Sequence, residues 1–147
     1  MILPLLCQLS EIVAMPNGNM SEIDEELIAG FLDQKLEAEA AKLYVQRYYG
    51  KIYTVQDVAD ALDLGYHSLR KKFKHNTGQS IGQFLMNTKI ENAKIFLQET
   101  NLSVKEIAFK VGFTDPSHFS KIFKKYVGTS PREYKTRKRN DQVKNLN

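Results

Sequence analysis

The sequence predicts an all-α fold: two helix-turn-helix subdomains, each a three-helix lobe, joined by a linking helix. Three observations carry that prediction. Residues 54–84 recur at 103–134, and each copy reads as helix, turn, helix, turn, helix start. Capping signals stand where the helices must begin. No run of alternating β-branched residues is long enough to build a sheet.

At the front, Ile2, Leu5, Leu6, Leu9, Ile12 and Val13 share one helical face despite Pro4. Pro16-Asn17-Gly18-Asn19 interrupts that helix. Ile23, Leu27, Ile28 and Phe31 then lie apolar among acids. Residues 1–33 are expected to form an amphipathic helical appendage, or the remnant of an upstream domain. The main domain, 34–137, opens with a helix over about 34–49, whose apolar face would be Leu36, Ala40, Leu43, Tyr44 and Tyr48. Gly50 suits the left-handed position after its last turn.

In the repeat, Thr54, Val55, Asp57, Val58, Ala59 and Leu62 recur 49 residues later as Ser103, Val104, Glu106, Ile107, Ala108 and Val111. Leu69, Lys71, Phe73, Lys74, Gly78, Ser80 and Phe84 recur 50 residues later as Phe119, Lys121, Phe123, Lys124, Gly128, Ser130 and Tyr134. The one-residue slip falls between two helices, at turns marked by Gly65 and Gly112. Thr54 with Asp57 is a capping pair, and Ser103 with Glu106 is expected to be the fuller capping box. Ala59 and Ala108 let a second helix cross closely. In the second helix of each copy, Tyr66, Leu69 and Phe73, and likewise Phe119, Ile122, Phe123 and Tyr126, should face inward. Asp115 is a natural N-cap and Pro116 a natural first helical residue. A linking helix over about 81–97 uses Phe84, Leu85, Ile90, Ala93 and Leu97. After Pro131 a last helix grades into a polar tail, 138–147, expected to fray.

The formal net charge is +4 and the pI about 9.1, a mild prior for a polyanionic partner. Its distribution is more telling: residues 1–41 carry a net of −7 and residues 42–147 a net of +11. The single cysteine, Cys7, forms no internal disulfide and no multi-cysteine zinc site, which fits a reducing compartment. Residues 1–15 lack the basic start and cleavage site of a signal peptide, and no stretch reaches the ~18–20 apolar residues of a membrane span. A cytoplasmic protein is expected. His67, His75 and His118 lack the spacing of a metal site, and no metal or cofactor is expected. Tyr44, Tyr48, Tyr49 and Tyr53 are taken as core and rim aromatics. No nucleophile set, paired acids or phosphate-cradling loop argues for an enzyme.

Opposite each inward face lies a polar stripe at i, i+3, i+4, i+7 spacing: His67, Arg70, Lys71 and Lys74, and Ser117, Ser120, Lys121 and Lys124. The second helix of a helix-turn-helix can enter a DNA major groove, where base edges carry a full donor and acceptor code. Arg70 can bond guanine bidentately. Lys71 and Lys121 can reach it as single donors, and His67, Ser117 and Ser120 can make shorter contacts. Lys74 and Lys124, farther along, suit phosphates. Thr54 and Ser103, at the starts of the preceding helices, are assigned phosphate contacts as well. A linking helix of about 17 residues spans ~26 Å, so two recognition helices near one DNA turn apart are geometrically reasonable. The rival function is a protein-interaction module, an anti-activator or RNA polymerase-binding adaptor without specific DNA binding.

Residues 42–137 resemble the DNA-binding domain of the AraC/XylS family of bacterial transcription regulators. The motif that carries the likeness is Gly112-Phe113, Phe119, Phe123-Lys124, Gly128, Thr129, Ser130-Pro131 and Tyr134, with Leu69, Phe73-Lys74, Gly78 and Ser80 as a looser first copy. Lys89 and Lys135 stand where the family usually has Arg. The resemblance implies seven helices in two homeodomain-like lobes, binding to promoter DNA, and recruitment of RNA polymerase as an activator. It also implies base contacts at His67, Arg70 and Lys71, and at Pro116, Ser117, Ser120 and Lys121. The second set is poor in long donors, so the first lobe is expected to do most of the base reading. Residues 1–33 would suit self-association or interdomain packing, surface docking as a partner-binding helix, or an acidic fold-over against the basic lobes.

Overall fold

The computed structural model describes residues 22–145. Those residues contain seven α-helices and no strand: α1 (Glu22–Tyr48), α2 (Val55–Ala61), α3 (Tyr66–Thr77), α4 (Ile81–Glu99), α5 (Val104–Lys110), α6 (Pro116–Val127) and α7 (Pro131–Asn145). A 3₁₀ turn, Tyr49–Lys51, follows α1. The apolar face expected over 2–13, the break at 16–19 and Cys7 lie outside the described residues.

Two helices run further than expected. α1 crosses the supposed start at residue 34 without a break. Between Asp33 and Tyr48 there is neither Gly nor Pro, and Leu, Gln, Lys, Glu and Ala are all strong helix formers. α7 likewise continues to Asn145 rather than giving way to a tail at 138, on Arg, Lys, Glu and Gln.

The buried face of α1 is Ala38, Ala41 and Val45, each at most 1% exposed. Of the larger residues expected there, Leu43 and Tyr48 are exposed, and Tyr44 is only half-buried. Small side chains let α1 lie close along α3, and the Glu37–Lys72 ion pair at 2.8 Å ties the two helices together.

Each lobe has its own core. The first gathers Ala38, Ala41, Val45, Ile52, Val58, Ala59, Leu69, Phe73, Ile81 and Leu85. The second gathers Ile90, Ala93, Leu97, Ile107, Ala108, Val111, Phe113, Phe119 and Phe123. α4 serves both, with Ile81 and Leu85 in the first and Ile90, Ala93 and Leu97 in the second. Tyr126, expected inward, is exposed.

The repeat holds at the level of single hydrogen bonds. Leu64 N–H donates to the Ala59 carbonyl at 2.8 Å, and Phe113 N–H to the Ala108 carbonyl at 2.9 Å. Asp63 (φ 54°) and Gly112 (φ 92°) occupy the same left-handed position in the two turns. Asp is among the few residues with a side chain that tolerate that conformation. The extra residue of the second copy is therefore Thr114, inserted before the Asp115 cap. Gly65, read as a turn marker, is instead the N-cap of α3, with extended backbone and no side-chain cap bond.

The capping boxes are the reverse of expectation. Thr54 Oγ1 accepts from Asp57 N–H, and Asp57 Oδ2 accepts from the N–H groups of both Thr54 and Tyr53. Ser103 Oγ accepts from Glu106 N–H, but the Glu106 carboxylate accepts from the Ser103 hydroxyl rather than from the Ser103 backbone N–H. The Thr54 and Tyr53 N–H groups, with a smaller contribution from the Thr54 hydroxyl, hold the Asp57 carboxyl below its usual pKa.

The lobes meet backbone to backbone. Gly50 does not adopt the left-handed conformation expected of it; it lies in the 3₁₀ turn. Its lack of a side chain matters for another reason, because a Cβ there would sit 2.5 Å from the Lys110 carbonyl oxygen. A Cβ on Gly112 would meet the Tyr49 and Gly50 oxygens at 2.9 and 3.0 Å.

Candidate nucleic-acid interface

α3 and α6 are the second helices of the two helix-turn-helix units, and each is pinned by a buried pair from the repeat. Leu69 and Phe73 hold α3, Phe119 and Phe123 hold α6, and all four are fully buried. That fixes which face looks outward. On α3, His67, Arg70, Lys71 and Lys74 are all exposed. On α6, Ser117, Lys121 and Lys124 are exposed, and Pro116 and Ser120 are half-buried. Asp115 Oδ1 accepts from Ser117 N–H at 2.9 Å, so α6 begins as its sequence signals.

The Arg70 guanidinium lies over the Tyr66 ring, 5.4 Å from its centroid. Tyr66 in turn packs edge-on against His67 at 5.2 Å. Tyr66 is half-buried against the first core, so the arginine rests on a fixed platform while its N–H fork stays in solvent. His67, Arg70, Lys71 and Lys74 line one shallow depression, together with His75 and Ser80. Neither His75 nor Ser80 was expected in the site.

The second lobe has a groove of its own, between α5, α6 and the start of α7. Ser103 and Ser120 line it with Lys105, Ser130, Arg132, Lys135, Thr136 and Asn140. Sequence reasoning about α6 alone missed Lys105 and Arg132, both of them exposed. Each lies two residues after a capping serine, Ser103 or Ser130, and that placement was the available signal. Lys135 is committed elsewhere, donating from Nζ to the Leu102 carbonyl at 2.6 Å.

Thr54 and Ser103 are exposed at the starts of α2 and α5, and both hydroxyls serve as caps. A hydroxyl that accepts from an N–H can still donate to a phosphate oxygen. The Ser103 proton already goes to Glu106, at 3.1 Å.

Lys89 is not a surface residue at all. It is 4% exposed, in α4 between the two cores. Its Nζ donates to the Ile52 carbonyl at 2.5 Å and to the Gly112 carbonyl at 2.9 Å. Burial pulls its pKa down to about 8, and the Asp57 carboxylate pulls the other way.

No helix among the described residues is long and apolar enough to cross a membrane. Among those residues no group of three His, Cys, Asp or Glu side chains could hold a metal ion.

Two basic recognition helices, each on its own helix-turn-helix lobe, define a DNA-binding protein of the double helix-turn-helix class. Residues 58–137 match the model of a helix-turn-helix domain. The chain belongs to the AraC/XylS family of transcription regulators, which are not enzymes. The Msm operon regulatory protein of Streptococcus mutans is 29% identical over 152 residues, covering 89% of this chain and 55% of that protein. The C-terminal domain of AraT, a response regulator from Geobacillus stearothermophilus, is 31% identical with a TM-score of 0.65, covering 68% of this chain and 84% of that one. The DNA-binding domain of AdpA, a global transcriptional factor in complex with a target DNA, shares the fold with a TM-score of 0.68 at 20% identity, covering 73% of this chain and 96% of that one. The chain thus spans about half the length of the Streptococcus mutans protein.

Proposed function

We propose that this chain regulates transcription by binding two adjacent major-groove segments on one face of promoter DNA. In the first lobe, His67, Arg70 and Lys71 read bases. In the second, Pro116, Ser117, Ser120 and Lys121 approach bases. Lys74, Lys124 and Thr54 hold phosphates, and Ser103 does so by turning its hydroxyl donor from Glu106 to the phosphate oxygen. The observation that carries this reading is the pairing of a buried aromatic anchor with an outward basic stripe on both α3 and α6. Arg70 is the one guanidinium on the two stripes, so the first lobe does most of the base reading. Arg132, which lines the same groove as Ser120, gives the second lobe a long donor at its edge.

Activation through contact with RNA polymerase fits the same reading, as does self-association through residues 1–33. Relatives named as transcriptional activators support the first. Selection of bound sequences from a random DNA pool tests the whole. Two short half-motifs about one turn, ~34 Å, apart are expected; a single motif would mean that only one lobe reads.

A further inference from the structure

The junction between the lobes buries polar chemistry that DNA contact does not use. Apolar contact is non-directional, so two cores strung on α4 would by themselves leave the lobes free to rock about that helix. Hydrogen bonds are directional, and Lys89 supplies two of them across the junction. One goes to Ile52, in the lead-in to the Thr54 cap of α2. The other goes to Gly112, in the turn that launches α6. The amine also lies 5.7 Å from the Tyr53 ring centroid, just ahead of the first copy, and 5.4 Å from that of Phe113, within the second. Gly112 has no room for a side chain there, since a Cβ would sit 2.8 Å from Lys89 Nζ. A single amine thus grips the approach to both helix-turn-helix units.

We propose that Lys89 is a positioning residue that fixes the angle and separation of α3 and α6, and so the spacing between half-sites that the chain accepts. The proposal rests on the two-segment reading of DNA given above. Each base pair inserted between half-sites moves the second by about 3.4 Å and turns it by about 35°. A rigid pair of lobes resists that change; a hinged pair follows it. Without the amine, the junction loses its directional bonds while the cores and the recognition stripes stay in place.

The test measures affinity of the full chain for its selected site and for versions with one base pair added or removed between the half-motifs. The wild type is expected to lose at least tenfold on either altered spacing. Lys89→Met keeps the length of the side chain and removes its donors; its loss is expected to fall below threefold. Lys89→Arg restores donors and should restore the penalty. A folded Lys89→Met protein that keeps the full tenfold penalty overturns the proposal. Should that variant not fold, Lys89→Gln, too short to reach both the Ile52 and Gly112 carbonyls, takes its place; the full tenfold penalty in it overturns the proposal equally. Scrambling each half-motif in turn separates the two ideas. A wild type indifferent both to spacing and to scrambling of one half-motif overturns the two-segment reading and this proposal with it. A spacing-sensitive wild type with an equally sensitive Lys89→Met overturns the proposal alone.

Discussion

Arg70 and Lys124 show how two cations on equivalent helices come to differ. Arg70 presents a planar fork steadied by Tyr66, suited to two acceptors on one base edge. Lys124 sits in the last turn of α6, where a point charge would suit a phosphate. Arg70→Ala is expected to relax sequence preference with little change in salt dependence. Lys124→Ala should weaken all DNA about equally and reduce the slope of log affinity against log salt by about 0.9. Competition binding against random DNA at several salt concentrations checks both, and equal effects of the two changes on specific and random DNA would remove the division of labour. Lys89 makes a prediction of another kind. Its folded pKa of about 8 lies below the ordinary 10.5, so between those values the unfolded chain binds a proton that the folded chain has lost. Stability therefore rises with pH in that window, by no more than about 1.4 kcal/mol per pH unit. Burial raises the Tyr49 pKa above 10.0; the unfolded chain ionises that phenol first, and stability falls again above about pH 10. Denaturant unfolding from pH 7.5 to 10 should show the rise in the wild type and not in Lys89→Met; parallel curves would contradict it.

At the level of elements, the caps carry the sharpest expectation. Asp57 satisfies two backbone N–H groups ahead of α2, whereas Glu106 satisfies none ahead of α5. Asp57→Ala should cost about 1–2 kcal/mol, and Glu106→Ala well under that, in equilibrium unfolding. The depressed Asp57 pKa gives stability that is present above the unfolded value of 3.8 and lost as pH falls below it. Much at this scale was legible in the sequence: the two helix-turn-helix units, the linking helix, the caps at 54, 80, 103 and 115, and the pairs Leu69/Phe73 and Phe119/Phe123. These features are local, set by spacing and by residue type within one helix or turn. What escaped is long-range. The roles of Gly50 and Lys89 depend on Lys110, 60 residues from Gly50, and on Ile52 and Gly112, 37 and 23 residues from Lys89. The groove shared by Ser120 and Arg132 forms only once α7 packs back on α4 and α6, beside the start of α5. The buried face of α1 was misjudged because size was taken as the guide, while close packing on α3 selects Ala38 and Ala41.

For the whole molecule, geometry and charge point the same way. α4 has 19 residues, about 28 Å of helix, and sets the two recognition helices on either side of one rigid element. The net positive charge lies in residues 42–147, the part that holds both recognition helices, while the acids gather ahead of it. Several phosphates neutralised at once should make affinity for DNA fall steeply with salt, which a module that binds only protein would not show. The measurement that bears most directly on the account is backbone-cleavage footprinting of the full chain on its selected DNA site. Two protected segments on one face, about one helical turn (~34 Å) apart, are predicted, with Arg70→Ala weakening one and Lys121→Ala the other. A single protected segment, or one that both substitutions weaken alike, would contradict it.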